Sequence, residues 1–152
     1  FLKINKVATA TIFSEEQIAS IKNAIAEAET KTSGELRVFI DDHCKQDVME
    51  KALYVFRKLH MHETELQNGV LIYLSVKDKK CAIIGDKGIH EKVHDDFWNS
   101  TRNKMQERFI HGEFTEGLIE GIAEAGRVLS FHFPFQKNDA NELSNDVIFG
   151  KE

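Results

Sequence analysis

Apolar residues recur every three to four places at Ile18, Ile21, Ile25 and Ala28, the spacing of one buried helix face, so a helix is expected over Ser14 to Glu29. Ser14, with Gln17 three residues on, reads as its capping box. The period then changes. After the Thr32-Ser33-Gly34 break, Glu35 to Asp41 is rich in β-branched and aromatic residues, the signature of a strand covered on both faces. Helical spacing returns behind the capping pair Asp47 and Glu50, with Val48, Ala52, Val55, Phe56 and Leu59 on one face. Beyond the turn pair Asn68-Gly69, Val70 to Val76 and Cys81 to Gly85 are two more strands. Only Lys77 to Lys80 separate them, so they should form an antiparallel hairpin. A long helix is expected from Glu91 to about Ile110, with Val93, Phe97, Trp98, Met105 and Phe109 as its apolar members and Gly112 as its stop. A last helix runs from Thr115 to Leu129, turning Leu118, Ile119, Ile122, Ala125 and Val128 inward. Residues 136–152 read as a polar tail with a short apolar patch at Val147 to Phe149.

The first two strands are joined through a helix, which implies a right-handed parallel crossover. With the hairpin, this gives an α/β domain: a small mixed sheet carrying helices on its faces, in one unit over residues 1–135. Its 152 residues, 41% hydrophobic and 30% charged, are enough to bury a sizeable core. The balance of 25 acidic against 20 basic residues contains no basic stripe with interleaved aromatics, which argues against nucleic acid as a partner. No apolar run approaches the roughly 20 residues that span a bilayer. Phe1 to Thr11 lack the apolar stretch of a secretory signal, so the chain is expected to be soluble, cytoplasmic or, if a leader was removed, extracytoplasmic.

Topology gives the acidic residues their interest. Parallel strands start on the same sheet edge, which places Glu35 near Asn68 and Gly69. The hairpin strand runs back to that edge and delivers Asp86 to it, while Asp95 and Asp96 follow two and a half helical turns on. Glu35, Asp86 and Asp95 or Asp96, with Asn68 or backbone carbonyls completing the set, offer hard oxygen ligands suited to Ca²⁺ or Mg²⁺. Solvated acidic strand ends are the ordinary alternative.

The blocks "TSGELRVFI", "NGVLIYLS", "IIGDKGI" and "GEFTEGLIEGI" together resemble the TPM domain family, over roughly Phe13 to Pro134. That family is known from thylakoid-lumen repair proteins, bacterial envelope proteins and a receptor-auxiliary protein. The resemblance implies a three-layer α/β/α sandwich with a Rossmann-like appearance. It also implies divalent-cation binding, usually calcium, at an acidic strand edge, and in some members a weak acid phosphatase activity. Carried onto this chain, the matching positions are Glu35, Asp86 and the pair Asp95-Asp96. The reading that follows is a calcium-binding accessory or interaction module with a protein partner. A metal-dependent phosphatase, in which Arg37 is the one nearby cation for a phosphate, is the alternative.

Other motifs compete. "HEKVH" matches the zinc-peptidase pattern, with His90 and His94 as ligands and Glu91 as general base, although Lys92 inside it would oppose a metal. A third ligand would have to come from His111, Glu113, Glu116 or Glu120. His60 and His62 are loosely spaced for a metal. Cys44 and Cys81 fall near the opposite sheet edge, where a disulfide competes with two small buried hydrophobes. Gly117 and Gly121 should let the last helix approach its neighbour closely.

Overall fold

The computed structural model describes residues 12–94, 96–136 and 147–150. Helix α1 (Glu15–Glu29) opens with the expected capping box, in which Ser14 Oγ accepts the Gln17 N–H at 3.1 Å and Gln17 Oε1 accepts the Ser14 N–H at 2.9 Å. Strand β1 (Glu35–Asp41) leads into α2 (Val48–Lys58), whose first free N–H groups, of Met49 and Glu50, are both taken by Asp47 Oδ2 at 3.1 Å. A single 3-10 turn, Met61–Glu63, precedes β2 (Gly69–Ser75), and the hairpin returns through β3 (Lys80–Gly85). Short α3 (Lys87–His90), α4 (Asn99–Ile110), α5 (Phe114–His132) and β4 (Ile148–Phe149) complete the order.

The sheet runs β3-β2-β1-β4. β1 and β2 are parallel from Glu35 opposite Gly69 to Asp41 opposite Ser75, and β3 is antiparallel to β2 from Gly85 opposite Val70. Alternation splits the core in two. Leu36, Val38, Ile40, Val70, Ile72, Leu74 and Ile83 meet α1, α4 and α5 on one face, while Leu71, Tyr73 and Ala82 meet Ala52, Val55 and Phe56 of α2 on the other. All seven residues of β2 are buried, as a central strand between helical layers requires. This is the expected α/β sandwich. Gly117 and Gly121 act as expected too: a Cβ on Gly117 would stand 2.5 Å from Phe109 Cε1, and one on Gly121 would overlap Met105 Sδ, so α5 presses directly on α4.

Two expectations fail. The helix expected from Glu91 does not form there, because α3 ends at His90 and α4 begins at Asn99. Ile89 and Trp98 both pack against Gly85, whose Cβ would lie 3.1 and 3.2 Å from them. In one straight helix those nine residues would carry Trp98 about 13 Å onward, so the chain must turn between them. The apolar patch in the polar tail is also more than a patch. Val147, Ile148 and Phe149 are buried, and β4 adds to the sheet parallel to β1, with Ile148 opposite Phe39.

Candidate functional site

The edge where β1 and β2 begin gathers the polar groups. Glu35 stands opposite Gly69 and donates its N–H to the Asn68 carbonyl at 3.3 Å, while Asp86 donates its N–H to the Gly69 carbonyl at 2.9 Å. Glu35 and Asp86 therefore flank Gly69 from either side, two strand spacings or roughly 10 Å apart across the sheet. Over Gly69 lies the Met61 carbonyl, 3.2 Å from where a Cβ would be. The 64–68 segment is held down on α3. Gln67 sits at φ 50°, its carbonyl accepts the Gly88 N–H at 2.8 Å, and a Cβ on Gly88 would come within 2.7 Å of that oxygen.

Several oxygens and one amide here are buried with no hydrogen-bond partner among the described residues. The Asn68 side chain is 1% exposed, and neither its Oδ1 nor its Nδ2 is satisfied. Asp86 Oδ1 caps α3 by accepting the Lys87 N–H at 2.8 Å, but Oδ2 is buried and unmatched, as is Thr64 Oγ1. Orphaned buried polar atoms are uncommon and each costs about 1–3 kcal/mol, and several of those among the described residues fall at this edge.

The sequence missed one member of this edge, Glu29. It is the last residue of α1, four places after buried Ile25, and that inward position for a carboxylate was the available signal. Its Oε2 accepts the Leu36 N–H at 2.7 Å on the side of β1 away from β2. Burial pushes the Glu29 carboxyl from 4.5 up to about 8; the Leu36 hydrogen bond and the Arg37 charge oppose this, while the charge and hydrogen bond of Glu35 reinforce it. Arg37 is only 5% exposed and attracts Glu29, so it is part of a buried acid-base cluster rather than a displayed phosphate contact.

Of the residues expected to hold a metal, Glu35 and Asp86 reach this edge. Asp96 is exposed in the turn before α4, and Asp95 lies outside the described residues. Among the described residues no three His, Cys, Asp or Glu side chains come together as a metal-binding group. On the β2 side of β1 the described edge thus offers the Glu35 and Asp86 carboxylates, the Asn68 amide and nearby carbonyls, a donor set of the chemistry a hard cation takes, with Glu29 turned to the other side of β1. His90, Glu91 and His94 are all exposed, and the helix that would set the two histidines one turn apart stops at His90, which removes the geometric basis of the zinc site. Cys44 and Cys81 are free and pack in the cores on opposite faces of the sheet.

The sheet order and the helices on both faces define a small α/β sandwich domain with a polar strand edge. The TPM domain model matches residues 7–128, and the chain belongs to that family. The solution structure of the BA42 protein from the psychrophilic bacterium Bizionia argentinensis is 44% identical, with 97% of this chain and 99% of that one aligned at a TM-score of 0.85. The N-terminal domain of a P. gingivalis protein aligns with a TM-score of 0.67 at 18% identity, covering 82% of this chain and 80% of that one. The N-terminal domain of the cg2496 protein from Corynebacterium glutamicum aligns at 0.62 with 9% identity, over 97% and 93%. At those identities the last two speak for the fold alone. No curated protein matches significantly. No helix among the described residues is long and apolar enough to cross a membrane.

Proposed function

We propose that this TPM domain binds a divalent cation, calcium in preference to magnesium, at the edge where β1 and β2 begin, and serves as an accessory or interaction module whose partner surface the cation organises. The observation that carries the reading is the buried Asn68 side chain, unmatched at both polar atoms among the described residues, at the start of the strand that separates Glu35 from Asp86. A cation with its retained waters would satisfy the Asn68 and Asp86 oxygens and offset the acidic charge that burial makes unfavourable at Glu29. Asp95 or Asp96 would complete the oxygen set from the segment between α3 and α4. The phosphatase alternative uses the same cation but is the weaker reading, because Arg37 is buried beside carboxylates.

Thermal unfolding of chelator-stripped protein, titrated separately with Ca²⁺, Mg²⁺ and Zn²⁺, tests this. A cation bound only by the folded state stabilises by about 2.7 kcal/mol at a hundred times its Kd, or about 5–10 °C in a domain of this size. The expected result is a rise with Ca²⁺ that is abolished when Glu35 and Asp86 are both replaced by their amides. No rise, or a rise with Zn²⁺ alone, contradicts the reading.

A further inference from the structure

The opposite edge of the sheet carries a second, unrelated site. β1, β2 and β4 are parallel and end together there, about 20 Å from Glu35 along β1. From β1 the chain passes through α2, on one face, to β2 on one side; β4 lies on the other side of β1 and follows α5, which packs on the other face. Ligand crevices in open α/β sheets lie beyond the carboxyl ends of parallel strands, and β1, β2 and β4 all end on this side. A cleft of about 550 Å³ occupies that place, within the size range of small-molecule sites.

Its charges are ordered in depth. Asp41 and Asp42 line it and are 7% and 5% exposed. His43 and Lys45 are exposed at the mouth, and Lys51 of α2 is partly exposed there. Asp41 is held in place: Tyr73 donates its hydroxyl to Oδ2 at 2.6 Å from the neighbouring strand. Gly150, just past β4, packs against the Asp41 carboxylate on its other side, since a Cβ there would overlap Oδ1. Lys51 Nζ stops 4.0 Å from Oδ2, beyond hydrogen-bond length. The loop behind is braced by Asp78, whose Oδ2 accepts the Cys44 N–H at 2.5 Å and the Ser75 hydroxyl at 2.9 Å.

We propose that this cleft binds a small zwitterion of the α-amino acid class, its ammonium on Asp41 and its carboxylate on Lys51 with the His43 and Lys45 rim. An acidic floor under a basic rim favours this over a simple anion, which would face two buried carboxylates, and over a bare cation, which the rim repels. Burial raises the Asp41 carboxyl above its ordinary value, in keeping with a group that gains from a cationic partner.

The test is amide NMR of the labelled chain titrated with glycine, alanine, serine and glutamine. The controls are glycine betaine, which lacks ammonium N–H groups, glycinamide, which lacks the carboxylate, inorganic phosphate and Ca²⁺. The expected result is saturable shifts at residues 41–46 and 150 for at least one amino acid, with Kd at or below about 1 mM and weakened about tenfold or more by Lys51→Met and by Asp41→Asn. Lys51→Met alters a partly exposed side chain and keeps the fold, so it decides the matter if Asp41→Asn does not fold. The proposal is overturned if no amino acid shifts these residues, if betaine or glycinamide does so equally, if phosphate or Ca²⁺ is the sole ligand, or if Lys51→Met binds like the parent.

Discussion

Replacing Glu29 by Gln removes a charge from the free side of β1 while keeping an oxygen that can accept the Leu36 N–H, now 2.7 Å from Glu29 Oε2. The Glu29 carboxyl, raised above all by burial from 4.5 to about 8, keeps its proton in the folded chain at pH values where the unfolded chain has released it. Between those limits the folded state binds more protons, so stability falls as pH rises, the reverse of an ordinary salt-bridged carboxylate. The slope cannot exceed about 1.4 kcal/mol per pH unit, which gives a loss of at most about 4 kcal/mol between pH 5 and pH 8. The amide of the Glu29→Gln variant has no such proton to lose. Urea unfolding of both chains at pH 5, 6, 7 and 8, with chelator present so that no cation compensates the charge, should give near-equal stability at pH 5. The variant should lead at pH 8, by up to about 2 M in urea midpoint. An advantage that does not change with pH, or a parent that is the more stable at pH 8, would refute the assignment of that proton to Glu29.

Tyr73→Phe removes the hydroxyl that Asp41 Oδ2 accepts at 2.6 Å, leaving a buried carboxylate short of a donor, and should cost about 1–3 kcal/mol in chemical denaturation with the fold unchanged by NMR. Gly88→Ala pushes a methyl against the Leu66 and Gln67 carbonyls, so it should destabilise by about 1–3 kcal/mol and loosen the segment that carries Asn68, seen as faster hydrogen exchange at residues 64–68.

Much of the sandwich was legible because its elements announce themselves locally. The Ser14 box, the Asp47 cap, the period of α1 and α2 and the four-residue hairpin link each state an element without tertiary information. What failed depended on contacts. The gap between α3 and α4 exists because Ile89 and Trp98 converge on Gly85, and β4 exists because a two-residue strand finds Phe39 and Ile40; neither leaves a periodic trace. At the site, topology was enough to bring Glu35, Asn68 and Asp86 to one edge. Glu29 escaped notice because its position matters only once α1 is packed beside β1, and Arg37 reads as a cation available to a phosphate until its burial near Glu29 is seen.

The cation account stands on one edge of the sheet, and amide chemical shifts report that edge residue by residue. Calcium added to the chelator-stripped chain should move Glu35, Asn68, Gly69 and Asp86 saturably and together, while Asp41 to Gln46 stay still. Shifts confined to the Asp41 edge, or no saturable shift at either, would contradict it.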